Sequence, residues 1–249
     1  MNAENTQKQN GNTSLIEEMF NVGAHFGYTK SRRHPSFRSI IFGTKKKVDI
    51  VNLEKTGLHL SKALDFIGEY GRQNKVLLFV GTKPEARKIV EEAGKTLNTP
   101  FVSNRWIGGT LTNFPQIRRR VSKFTGLLEK RSTGALDVYT KKERLLLDRE
   151  IEKLRRNFSG IVGMEKLPDA LFVIDPRHED IAVSEARQLN IPIVALAGSD
   201  CNLADIAYSI PANDASISSI LFFTDKVIKA YQEGKKSSVP EPKPENTQS

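Results

Sequence analysis

Runs that are apolar at every position alternate along this chain with stretches whose apolar residues recur every three or four places. Val76–Val80 (VLLFV), Ala170–Ile174 (ALFVI) and Ile191–Ala197 (IPIVALA) are runs of the first kind. A strand that is apolar on both sides predicts burial on both faces, which a parallel sheet covered by helices provides. The first run ends at Gly81 and leads into a helical stretch, Pro84–Leu97. The second passes through Asp175–Pro176 into a helix near Asp180–Leu189, and the third stops at Gly198. A last helix is predicted from about Ala215 to Glu233. Right-handed crossovers then give a doubly wound α/β sandwich. Ile40–Phe42 and Val48–Val51, separated by Gly43–Lys47, read instead as a hairpin.

Between residues 114 and 158 the rhythm changes. Phe114, Ile117, Val121, Phe124 and Leu128 are spaced 3, 4, 3 and 4. After a turn region containing Gly134, Leu147, Ile151, Leu154 and Phe158 follow at 4, 3 and 4. These seams predict two helices packed antiparallel as a short coiled coil. Their other faces carry Arg118, Arg119, Arg120, Lys123, Arg149, Lys153, Arg155 and Arg156. The expected organisation is a disordered tail over 1–13, a discontinuous sandwich over 14–104 and 159–233, a helical hairpin inserted at 105–158, and a disordered tail over 234–249. The last segment has one aliphatic side chain, Val239, and cannot bury enough surface to offset its ordering entropy.

Composition narrows the class. With 38% hydrophobic and 27% charged residues a packed core is expected, and wholesale disorder is not. The apolar runs are too short to span a bilayer, and the polar start (Asn2, Glu4, Asn5, Gln7) lacks a signal-peptide core. One cysteine excludes an internal disulfide and a multi-cysteine metal cage. A cytoplasmic protein without membrane contact is expected. Net charge is +9, which points to a polyanionic partner. Location says more. Thr29–Lys47 holds seven cations and no acid, and Arg105–Arg156 holds fourteen cations against six acids, so the rest of the chain is net acidic. Such local excess is the footprint of nucleic-acid binding.

Three candidate contacts follow. Lys30, Arg32, Arg33, Arg38, Lys45, Lys46 and Lys47 can neutralise phosphates, while the interleaved His34 and Phe37 offer rings to exposed bases. The bland alternative, a solvated charge run, is weakened by the lack of any compensating acid. In Asn104–Phe114, Gly108 and Gly109 permit close backbone approach and Arg105 supplies charge, whereas Trp106 is expected to pack where the hairpin joins the sandwich. Coiled-coil outer faces are often charged for solubility alone. Yet Arg118, Arg119 and Arg120 form a triplet with no acid within four residues on either side, which favours a phosphate partner for them and for Lys123, Arg155 and Arg156.

Catalytic readings are weaker. Gly81-Thr82-Lys83 sits at a strand end, where doubly wound folds place ligands, but neither a dinucleotide fingerprint nor a P-loop is present. A tight turn with a surface lysine is expected. The acids of Asp175–Asp180 are expected to start a helix and cap its amides rather than to act as acid and base. Cys201 has no nearby histidine, and His25, His34, His59 and His178 show no ligand spacing. No catalytic residue, metal, cofactor or small-molecule substrate is expected.

Five blocks in this order resemble the bacterial small-subunit ribosomal protein two family: NVGAHFGY (Asn21–Tyr28), IIFGTKKKVDIVNLEKT (Ile40–Thr56), LLFVGTK (Leu77–Lys83), NRWIGGTLTNF (Asn104–Phe114) and LPDALFVIDPRHEDIAVSEA (Leu167–Ala186). The resemblance implies a flavodoxin-like sandwich with a protruding coiled-coil hairpin, seated between head and body of the small subunit on 16S ribosomal RNA. It also implies other small-subunit proteins as partners, ribosomal protein one among them. The chain departs from the family at Gly198–Leu203, where Asp-Thr-Asn-Cys-Asp-Pro is usual, and at Pro211–Ser216, where Pro-Gly-Asn-Asp-Asp-Ala is usual. Two rival functions are weighed: a sugar-phosphate-binding isomerase-like enzyme using the Gly81–Lys83 turn, and a pure protein-interaction scaffold.

Overall fold

The computed structural model describes residues 15–136 and 138–237. A helix α1 (residues 15–21) precedes an antiparallel sheet of β1 (Phe26–Thr29), β2 (Ile41–Lys45) and β3 (Val48–Val51), ordered β1-β3-β2. Helix α2 (Leu53–Arg72) leads to a parallel sheet of β4 (Leu77–Val80), β5 (Phe101–Val102), β6 (Ala170–Ile174), β7 (Ile193–Ala197) and β8 (Tyr208–Pro211), ordered β5-β4-β6-β7-β8. Taken in chain order this is 2-1-3-4-5, the flavodoxin-like doubly wound arrangement. The helices α3 (Pro84–Leu97), α4 (Phe114–Ser132), α5 (Lys141–Phe158), α6 (Asp180–Gln188) and α7 (Ile217–Ser237) complete the chain.

The uninterrupted apolar runs explain the layering. Alternate residues of each strand enter different cores: Leu78, Val80, Leu171, Val173 and Ala195 on one face, Leu77, Phe79, Phe172, Ile174 and Val194 on the other. The second core is closed by α2, α3 and α7, through Ile67, Val90 and Phe223 among others. The first is closed by α6 and by the seam of α4 and α5, where Ile117, Val121, Phe124, Ile151, Leu154 and Phe158 are buried. Withdrawing each such large side chain from water contributes about 1.5–3 kcal/mol. The hairpin is therefore rooted in the sandwich core. Its helices run in opposite directions, as the pairs Lys123–Glu150 and Arg131–Asp148 require. Leu127 rather than Leu128 takes the buried place near its far end. Thr140 and Glu143 start α5 with a reciprocal capping box.

Several elements differ from expectation. The turn in the β2–β3 hairpin is two residues, Lys46 and Lys47, because β2 continues through Lys45. Both lysines have positive φ, 50° and 68°, matching the type I′ turn whose twist suits a two-residue hairpin. Helix α2 was not anticipated. Its buried stripe, Leu53, Thr56, Leu60, Ala63, Ile67 and Gly71, mixes polar and small residues with apolar ones. The small residues have a purpose: a Cβ on Gly71 would run into the carbonyl of Tyr231, and one on Gly234 into that of Gly68, so α2 and α7 touch backbone to backbone. Helix α7 continues through Ser237, into the segment expected to be a C-terminal tail. The N-terminal tail expected over 1–13 and residues 238–249 lie outside the described residues.

Candidate nucleic-acid interface

Both basic segments are attached at the carboxyl ends of the parallel strands. The small sheet is pinned to the loop after β7: the Tyr28 amide donates to Ser199 Oγ at 2.8 Å and the His34 amide to the Ser199 carbonyl at 2.9 Å. A Cβ on Gly198 would run close to Tyr28 and to Asp214, so a glycine here lets these layers meet. Within the cluster, side chains divide into two kinds. Arg33 is turned inward, with Nε 2.7 Å from Oδ2 of the fully buried Asp49. His34 caps the short 3-10 helix Pro35–Ile40, accepting from the Ser36 amide at 3.3 Å, and Phe37 is fully buried. Arg32 lies over the Tyr28 ring at 4.7 Å and 3.4 Å from Asp200, with its outer half exposed. Lys30, Arg38, Lys45, Lys46 and Lys47 are exposed, with no side-chain partner among the described residues.

The loop between β5 and α4 is held by one buried carboxylate. Glu185 of α6 accepts from Trp106 Nε1 at 3.0 Å, from the amides of Gly109, Leu111 and Thr112 at 2.8, 2.9 and 3.0 Å, and from Thr112 Oγ1 at 3.1 Å. Burial opposes its charge, but these donors outweigh burial and hold its carboxyl below the usual range. Trp106 is thus buried, as expected, while its neighbour Arg105 is exposed. On the hairpin, Arg118 donates to the carbonyls of Val162 and Met164 at 3.2 and 3.0 Å, clasping α4 to the chain after α5. Lys123 pairs with Glu150, and Arg155 pairs with Glu152 at 3.0 Å. Arg119, Arg120 and Arg156 are exposed with no partner among the described residues. A groove of about 950 Å³ at the hairpin base gathers Arg105, Arg120 and Arg156, together with Arg87, Arg149 and Lys153, which sequence reasoning did not place in the contact set.

At the centre of the carboxyl edge, where a doubly wound fold holds a ligand, this chain fills the space with itself. Lys83 is not the surface lysine expected: its ammonium pairs with Asp175, lies 3.5 Å from Asp214 and 3.2 Å from the Tyr28 hydroxyl, and its side chain is 16% exposed. Burial works against its charge, yet Asp214 and Asp175 outweigh that and hold it above the usual lysine range. Burial, then the charge of Asp214, pushes the Tyr28 hydroxyl up to about 12. Burial and then the charge of Asp175, opposed by Lys83, push Asp214 up to about 7. Cys201 is fully buried, and burial followed by the charges of Asp175 and Asp214 pushes its thiol up, away from a nucleophilic thiolate. Asp175, Cys201 and Asp214 bring potential ligand atoms within 4.8 Å of one another. Lys83, paired with both carboxylates, supplies the positive charge a metal would bring. The capping expected of the acids in Asp175–Asp180 is not what Asp175 and Glu179 do. Asp175 Oδ1 accepts from the amides of Arg177 and His178 at 3.1 Å in the turn before α6. Glu179, at the N-cap position, makes no capping bond, its carboxylate accepting instead from the amide and hydroxyl of Thr82.

The model of the family described as ribosomal protein S2 matches residues 19–234. The chain belongs to the ribosomal protein S2 family. It is 40% identical over 221 residues to the small ribosomal subunit protein uS2 of Dictyoglomus thermophilum, covering 89% of this chain and 90% of that protein. It is 41% identical over 220 residues to the uS2 of Sulfurimonas denitrificans, covering 88% of this chain and 85% of that one. The uS2 of Geotalea uraniireducens is 39% identical over 219 residues, with 88% and 86% covered. In this S2 family member the matched span takes in both basic surfaces, the Glu185 anchor and the closed carboxyl edge.

Proposed function

We propose that this chain is a structural constituent of the small ribosomal subunit that binds 16S ribosomal RNA between head and body and catalyses no reaction. Family membership supports the ribosomal role, since the similar proteins are named for the small subunit. The observation that carries RNA binding is the separation of cations into two populations. Arg33, His34 and Arg118 hold the local backbone. Lys30, Arg38, Lys45, Lys46, Lys47, Arg105, Arg119, Arg120 and Arg156 face outward without partners among the described residues, and these mount the protein on phosphates. Arg32, Lys123 and Arg155, more than two-fifths exposed, exchange their surface carboxylates for phosphate at little cost. In this reading residues 14–104 and 159–233 form the platform and 105–158 the arm. Neighbouring small-subunit proteins, ribosomal protein one among them, are its protein partners, and the cytoplasmic ribosome is its location.

The isomerase-like alternative fails on the site itself, because the one lysine at the Gly81–Lys83 turn is already ion-paired inside the protein. Replacing Lys45, Lys46 and Lys47 by Glu tests the mounting surface. The variant should fold, since exposed charges carry little stability, and should be missing from small subunits isolated from cells expressing it. Wild-type incorporation would remove this surface from the contact.

A further inference from the structure

The groove at the hairpin base has a construction that phosphate neutralisation alone does not explain. Its floor is apolar, made by Trp106, Ile107, Leu154 and Phe158, and its rim carries six cations against two acids, Asp148 and Glu152. The rim draws on four elements: α3 (Arg87), the β5–α4 loop (Arg105), α4 (Arg120) and α5 (Arg149, Lys153, Arg156). Arg149, Lys153 and Arg156 follow at spacings of four and three, so like charges sit one above another along a single stripe of α5. Such stacking destabilises a helix by about 0.2–0.5 kcal/mol per pair. The hairpin's acids do not relieve it. Asp148 lies 3.6 Å from Arg131, Glu152 pairs with Arg155, and Glu150 pairs with Lys123. Arg105, Arg120, Arg149, Lys153 and Arg156 have no partner among the described residues. Asp148 and Glu152 also line the groove, but arginines engage both, which leaves the groove's unpaired charges all positive.

Resting on the RNA-binding reading above, we infer that this groove holds an unpaired RNA segment, with a base turned out of its stack against the apolar floor and its phosphates among Arg105, Arg149, Lys153 and Arg156. A duplex offers its phosphate ridges and its shallow groove, neither of which brings an apolar face to Ile107 and Leu154. Unstacked bases do, and single-stranded elements are where proteins reach RNA bases. Gly108 at the lip leaves the approach open, with nothing within 4 Å of where a Cβ would stand. Trp106 gives its indole N–H to Glu185 and so contributes floor rather than a free stacking face. An acidic peptide would satisfy the rim but not call for a floor of this kind.

The test uses the full chain and three probes: a decauridylate carrying 4-thiouridine, a blunt RNA duplex with the same number of phosphates, and an oligoglutamate of equal charge. The decauridylate should bind at least about tenfold more tightly than the duplex or the peptide, and its photo-crosslink should fall within residues 104–108 or 149–158. The double variant Arg149→Ala/Lys153→Ala should weaken decauridylate binding by about tenfold or more, with the emission of Trp106 unchanged as proof that the groove is intact. Equal binding of duplex or peptide, a crosslink elsewhere, or no effect of the double variant would each overturn the inference. In those cases 16S RNA binding that still depends on Lys45–Lys47 would leave the mounting surface standing. If the chain binds no RNA, both readings fall together.

Discussion

Glu185 shows how a single side chain can set the geometry of an interface it does not itself form. Its two oxygens gather five donors from residues 106–112, and so fix the loop that presents Arg105. Glu185→Ala leaves buried donors unsatisfied and should cost about 3 kcal/mol or more. Because Trp106 is the one tryptophan, its emission should shift to the red in the same variant. An unshifted spectrum with unchanged stability would mean the loop is held by something else. Asp214 makes a second residue-scale prediction. Its folded-state value near 7 lies above the ordinary 3.8, so between about pH 4 and pH 7 the folded protein keeps a proton that the unfolded chain has released. Stability from this group is therefore present below pH 4 and lost as pH rises to 7. Asp214→Asn removes that dependence. Its stability relative to the parent should climb by on the order of a few kcal/mol across the window and level off above it, read from denaturant midpoints at stepped pH. Parallel curves for variant and parent would contradict the assignment. None of this was visible beforehand. Glu185 carried no sequence signal and Lys83 read as a surface residue, because their partners lie far along the chain.

At the scale of elements, legibility followed packing. β4, β6 and β7 announce themselves because both their faces are buried, and α3 and the hairpin seams because their apolar residues keep helical spacing. β5 has two residues and β1 has four, none of them fully buried and one a glycine, too little pattern to detect. Helix α2 escaped because Thr56 and Ala63 dilute its buried stripe, and close contact with α7 selects Gly71 where a larger apolar residue would have marked it. The β2–β3 turn is the element whose local chemistry conflicts with its shape. Asn-Gly is the pair such a turn prefers, whereas lysine in a left-handed conformation costs about 1 kcal/mol or more at each position. Lys46→Asn with Lys47→Gly should therefore raise the melting temperature by about 4–8 °C and weaken RNA binding by about tenfold. A stabilised variant with unchanged RNA affinity would show that the strained lysines serve no contact.

For the whole molecule, the arrangement answers why a doubly wound fold can be inert. The edge where such folds bind small ligands is capped by the small sheet and filled by Lys83, Asp175, Asp214 and Tyr28. The same edge roots both basic surfaces, so under the proposed function the sandwich is a rigid base for two RNA mounts. The sign and position of the charge were legible in the sequence. Which cations are spent internally was not, since Arg33 and Arg118 differ from their neighbours only in what lies opposite them. The most direct test is the affinity of the purified chain for 16S ribosomal RNA measured from low to high salt. With the nine outward cations proposed to mount the protein on phosphates, log K should fall linearly with log salt, with a slope steeper than about −5. A slope flatter than about −2, or no binding at low salt, would contradict the account.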